Sequence, residues 1–162
     1  MENQAADLMV KMNLAIWNAQ NKKFAELIEK LSDEQLLNET APNRNTGIYL
    51  LGHIIAVSDD MSRLFDLGEK MFPDYLEIFV KSPDKSNKVF PPISELKSAY
   101  YNVTKNLENH FKKFSTNDWL SKHAAVSDED FAKEPTRNKL NVIISRTVHL
   151  ANHLGQMAYL NK

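Results

Sequence analysis

Two histidines, His149 and His153, stand four residues apart in the stretch HLANHLGQ. On an α-helix that spacing separates two side chains by about 40° in projection and one turn in height, so both imidazoles can aim at one point. The pair is two arms of a chelate, and a third ligand that leaves room for water or substrate would complete a site of the catalytic-zinc kind. His53, in LLGHI, is the candidate for that third ligand. The chain has no cysteine, which excludes disulfides, thiolate ligation and a cysteine nucleophile, and leaves histidine and carboxylate as the available ligands. A divalent ion held by three imidazoles keeps open positions for water or a thiol and lowers its pKa, giving a hydroxide or thiolate nucleophile near neutral pH.

Judged alone, the pair reads more readily as two half-buried imidazoles hydrogen-bonded to polar neighbours. His53, between Leu50 and Val57 on its helix face, reads alone as a packing residue. Whether the three meet is decided by the elements that carry them.

Four glycines in 162 residues, and long stretches at helical period without sustained two-residue alternation, predict an all-α fold. A first helix is expected from Gln4 to Leu31, with Leu8, Met12, Ala15, Ile16, Ala19, Leu27, Ile28 and Leu31 on its apolar side. Ser32-Asp33-Glu34-Gln35 closes or restarts it. Thr46 can cap a second helix running to Leu67, with Gly68 as its stop. Pro73, Pro83, Pro91 and Pro92 then mark a long connection, with one helical turn around Asp74 to Val80. Ser94 is a candidate cap for a third helix ending near Phe114, which repeats Leu96, Ala99, Tyr100, Val103, Leu107 and Phe111. After a second connection, Ser115 to Thr136, a fourth helix is expected from Arg137 to Leu160. Between Leu140 and Leu160 its one fully charged residue is Arg146, which predicts a largely covered circumference, with Leu140, Ile143, Ile144, Thr147, Ala151, Leu154 and Ala158 as the core stripe and Asn141, Ser145, Asn152 and Gln156 as an uncharged polar strip beside the two histidines.

In an up-down-up-down bundle, helices two and four are parallel, and His53 and His153 fall about two turns out of register. The connection between helices two and three, of roughly 25 residues, is far longer than a hairpin needs and can return the chain along the bundle. The order is then up-down-down-up, helix four is antiparallel to helix two, and His53, His149 and His153 share one end. His110 falls at the opposite end and reads as structural. His123, in a loop, is expected to be simply exposed.

Composition bounds the rest. With 43% apolar residues in 162, one domain spanning residues 1–162 is expected, since domains commonly run about 100–200 residues. Acids and bases nearly balance, at a formal net charge of -1, so neither a nucleic-acid partner nor an acidic tail is indicated, and a small-molecule substrate fits better. The N-terminus, with an early acid, does not read as a signal peptide. The longest apolar stretch, Gly47 to Val57, is about half a membrane span. A cytoplasmic protein without a membrane segment is the expectation.

HLANHLGQ (His149 to Gln156) resembles the HxxxHxGQ motif near the C-terminus of the DinB-like metal-binding proteins. LLGHI (Leu50 to Ile54) resembles their second-helix histidine motif, and IWN (Ile16 to Asn18) a first-helix pattern. The resemblance spans almost the whole chain in helix count and motif order. It implies a four-helix bundle of up-down-down-up order, a divalent metal, nickel or zinc, on His53, His149 and His153, and a homodimer. It also implies kinship with thiol-dependent transferases and isomerases that use low-molecular-weight thiols. A counterpart of the additional C-terminal domain of some thiol-dependent isomerases is not expected.

Gln156, Asn152 and Asp60 are candidates to orient an imidazole or bound water, although packing at a helix contact is the more usual role for an amide such as Gln156, and solvated surface is the alternative for Asp60. The first loop, Pro42 to Thr46 with Arg44, and the chain around Phe90 are expected at the rim. Three functional readings follow. The first is a metal-dependent transferase or hydrolase acting through a water or thiol, and the second a non-catalytic interaction or dimerisation module with a vestigial metal site. A di-iron carboxylate bundle is the third, and it lacks the Glu-x-x-His pairs it would need.

Overall fold

Among the described residues, five of the seven α-helices begin at a Ser, Thr or Asn whose side chain accepts a backbone N–H of the first turn, namely Ser32, Thr46, Ser115, Ser127 and Asn138. The computed structural model describes residues 2–161. In chain order it contains α1 (Glu2–Lys30), α2 (Asp33–Leu37), α3 (Gly47–Leu64), a π-helical turn (Glu77–Lys81), α4 (Ile93–Phe111), α5 (Thr116–Leu120), α6 (Asp128–Lys133) and α7 (Lys139–Ala158). Among the described residues no strand forms, and extended pairing is limited to bridges between Glu39 and Thr46 and between Lys122 and Asn138. No helix there is long and apolar enough to cross a membrane.

The all-α expectation holds, while several boundaries differ for local reasons. Ser32 and Gln35 restart the chain as α2 through a reciprocal capping box. The second helix stops at Leu64 because Asp66 takes a left-handed turn (φ 57°), letting the Leu67 N–H reach back to the Ser62 carbonyl. The expected stop, Gly68, is a second left-handed position two residues on. Ser94 is not a cap, since α4 starts one residue earlier, behind Pro92, without a side-chain cap. The second connection carries two short helices, α5 and α6, each started by a serine.

Two helical faces also differ. In α1 the buried stripe runs Val10, Trp17, Phe24, Ile28, Leu31, and the first half of the expected stripe is in water, with Leu8 58%, Met12 57% and Ile16 50% exposed. The aromatic residues set the face: Trp17 packs on Phe111 (5.2 Å) and Phe24 on Tyr100 (5.1 Å), and each ring buries more area than an aliphatic side chain. In α7, Leu140, Ile143, Thr147, Leu150 and Met157 are buried, whereas Ala158 of the expected stripe is exposed. Its circumference is not largely covered either, because Asn141, Ser145, Val148, Asn152, Gln156 and Tyr159 face solvent. Amides, hydroxyls and small side chains tolerate water without carrying charge.

What positions the histidines is the connection after α3. The buried Asp59 carboxylate accepts the N–H groups of Met71 (3.0 Å) and Phe72 (2.8 Å), fastening the connection late on α3. The Ser82 carbonyl accepts the Tyr49 hydroxyl (2.8 Å), and Asp84 accepts the N–H and hydroxyl of Thr46 (2.6 and 2.9 Å), fastening it at the start of α3. Between these anchors Phe79 lies flat against Gly52, fully buried. At the other side, Gly47 meets Leu160, and Gln35 donates to the Leu160 carbonyl (3.0 Å), so the start of α3 adjoins the end of α7. The Ala124 N–H on the Leu64 carbonyl (2.8 Å) and the Lys139 N–H on the Ser121 carbonyl (3.0 Å) tie the end of α3 to the approach to α7.

A β-carbon on Gly52 would lie 2.4 Å from Phe79 ring atoms. Overpacking of this kind costs about 1–3 kcal/mol, against about 1 kcal/mol gained from replacing a mid-helix glycine by alanine. Gly52→Ala is therefore expected to lower the unfolding free energy by about 1 kcal/mol in urea titrations. A variant stabilised by the full propensity gain would show that Phe79 does not need this approach.

Candidate metal centre

His53 lies on the flank of α3 because Leu50, Leu51, Ile54 and Ile55 occupy its core face. His149 and His153 flank the Leu150–Met157 stripe of α7 in the same way. All three are half-buried. Their Nε2 atoms converge: His149 Nε2 is 3.1 Å from His53 Nε2 and 3.0 Å from His153 Nε2. The three candidate ligand atoms all lie within 4.8 Å of one another, and these residues could hold a metal ion. Three imidazole nitrogens at about 2.0–2.1 Å from one tetrahedral ion stand about 3.3–3.4 Å apart, so a small adjustment of the rings suffices.

The far nitrogens decide what faces inward. His53 Nδ1 lies 2.8 Å from the Phe79 carbonyl and His153 Nδ1 lies 2.8 Å from Gln156 Oε1. Both partners are acceptors, so each Nδ1 carries the proton and each Nε2 presents a lone pair to the centre. This is the orientation that metal-bound histidines take from their outer partners. His149 Nδ1 is buried with no partner. An Nε2–H on His149 could satisfy one facing lone pair, not both, whereas a cation satisfies all three nitrogens together.

All three imidazoles are held below the ordinary histidine value of 6.5. His149 is pushed down to about 4, first by burial and then by facing His153, His53 and the Arg146 guanidinium. His53 is lowered mainly by burial, against the effect of its bond to the Phe79 carbonyl, with His153 and Arg146 adding to the shift. Burial lowers His153, and its contact with Gln156 works the other way. Neutral rings are the state that ligates metal.

The other expectations divide. Gln156 does orient a histidine. Asp60 does not; it pairs with Arg63 (2.9 Å) and Lys70 (3.9 Å). Asn152 and Arg44 line an open cleft of about 900 Å³ between the first loop and α7, which Asn45, Gln156 and Tyr159 also border. Phe90 packs on Phe79 (5.1 Å) and Tyr49 (6.1 Å), one layer behind His53. His123, expected in solvent, is half-buried with its Nδ1 sequestered. Sequence reasoning missed the Phe79 carbonyl, for which the only signal was a glycine inside α3 next to His53, a usual mark of close approach. Arg146 was noted for its charge alone, and its field on His53 and His149 was missed.

The sequence model of a family described as the DinB superfamily matches residues 17–157. That span includes all three histidines, the Phe79 turn and Gln156. No curated protein matches the chain.

Below pH 6.5 histidines of the unfolded chain take up protons, whereas folded His149 does so only near pH 4. The unfolded state then binds more protons, and stability must fall as pH drops through that window. Chemical denaturation of metal-free protein at stepped pH should show this decline, with a shallower slope in His149→Gln. Equal slopes in the two proteins would remove His149 as its source.

Proposed function

The chain belongs to the DinB superfamily, and from that premise we propose that it is a metal-dependent enzyme whose His53, His149 and His153 hold one divalent ion, nickel or zinc. Held there, such an ion would serve a transferase or hydrolase reaction that uses a water or low-molecular-weight thiol. The observation that carries this reading is the convergence of three Nε2 atoms, two of them aimed by acceptors at Nδ1. When bound, such an ion supplies Lewis-acid activation, lowering the pKa of a ligand in an open position.

The chain's own residues do the rest. The Phe79 carbonyl fixes the His53 ring, and Gln156 fixes that of His153 while also bordering the 900 Å³ cleft. A small-molecule substrate enters from that cleft, where Arg44 offers a cation to an anionic group and Asn45, Asn152 and Tyr159 offer polar edges. The fold we assign is one domain over residues 1–162, a bundle of α1, α3, α4 and α7 in up-down-down-up order. The meeting of the start of α3 with the end of α7 supports it, as does Phe65 at the end of α3 against Phe111 at the end of α4 (5.7 Å). We place the protein in the cytoplasm and as a homodimer. The exposed stripe Leu8, Met9, Met12 and Ile16 on α1, each at least half exposed, offers a second copy an apolar contact. The same stripe favours the competing reading, a non-catalytic dimerisation module with a vestigial metal site.

Metal analysis of protein purified without a histidine tag separates the two. The enzyme reading expects about one tightly held divalent ion per chain, lost on His153→Ala, and thiol-transfer or hydrolytic turnover that vanishes in that variant. Protein that neither carries nor binds a stoichiometric ion would leave only the module.

A further inference from the structure

Beside the end of α3 and the start of α7 lies a second cleft, of about 350 Å³, bordered by His123, Arg137, Asn138, Asn141, Ser145 and Arg146. Among the described residues, no aspartate or glutamate borders it. Arg146 Nε is buried and has no hydrogen-bond partner, and so is His123 Nδ1. Two residues that line the cleft from different elements thus each keep a sequestered nitrogen without a partner, so the polar wall of the cleft is incompletely satisfied within the fold.

Charge points the same way. The Arg137, Arg63 and Lys139 cations all bear on His123 and disfavour its protonation, after burial. Of the two carboxylates within reach, one is committed elsewhere and the other pairs at long range with a cleft arginine. Asp60, which bears on Arg146, is paired with Arg63 and Lys70. Asp130 reaches Arg137 only at 3.9 Å, from an exposed position on α6. The start of α7 adds the positive end of a 20-residue helix.

We propose that this cleft is a binding site for a small oxyanion, the carboxylate or phosphate group of a small molecule, held by Arg146 and Arg137 with His123, Asn141 and Ser145 as additional polar contacts. Arginine is the side chain suited to it, because its planar fork matches both groups in two parallel hydrogen bonds. None of the three metal-site histidines borders this cleft, although Arg146 also bears on His53 and His149, and the site needs no metal.

The test is calorimetric titration of the full chain with inorganic phosphate and, in parallel, with acetate, followed also by the His123 ring resonances. Saturable binding of at least one oxyanion is expected, with a shift of the His123 signals. Arg146→Met and Arg137→Gln should each weaken it by about tenfold or more. Lys22→Met, which removes an equal charge from the exposed face of α1, and His153→Ala should leave it unchanged. Should Arg146→Met fail to fold, Arg137→Gln at the helix start carries the test. Absence of saturable binding by both oxyanions would overturn the proposal. So would an equal loss in Lys22→Met, which would indicate general charge attraction, or a loss in His153→Ala, which would place the anion at the histidines.

Discussion

Three imidazole nitrogens converge, with His149 Nε2 standing 3.1 and 3.0 Å from those of His53 and His153; with two of the rings committing their protons to acceptors on the far side, they cannot all be satisfied by sharing protons among themselves. A cation between them would satisfy all three, and local elements hold the rings in that arrangement. The cost of the arrangement falls on local elements. A glycine sits inside α3, a carbonyl of the π-helical turn serves a side chain, and two rings on α7 are kept neutral by burial. Loosening any of these would let the nitrogens turn away and relieve the conflict without a cation.

The connection after α3 therefore belongs to the site as much as the helices do. A long crossing segment would ordinarily wander, since its closure entropy rises only slowly with length. Here it is fastened at Asp59, at Tyr49 and at Thr46, three points spread along one helix. Phe79 fills the gap between them, with Tyr75 and Phe90 against its ring (5.5 and 5.1 Å). This packing, remote from any ligand atom, decides which nitrogen of His53 faces inward.

Much of this was legible in the residues. The i, i+4 pair in α7, the cap at Thr46 and the long proline-marked connection predicted all-helical structure and a meeting of His53 with His149 and His153, and the rings do meet. What was not legible depended on competition between faces. In α1 a stripe of Leu8, Met12 and Ile16 fits helical period as well as the stripe of Trp17 and Phe24, and only the partners Phe111 and Tyr100 decide between them. In α7 a lack of charge resembled burial, although asparagine and serine sit in water as readily as lysine. The Phe79 carbonyl could not be read at all, because a backbone acceptor leaves no trace in side-chain identity. Arg146 stood out as the one fully charged residue between Leu140 and Leu160, but its role in the field of the histidines follows from how α3 and α7 pack.

The central claim is that His53, remote in sequence, ligates the same ion as His149 and His153. X-ray absorption of tag-free protein loaded with one equivalent of zinc measures this directly. The account predicts three imidazole nitrogens at about 2.0–2.1 Å, falling to two in His53→Ala. A first shell dominated by oxygen, or one unaltered by that substitution, would contradict it.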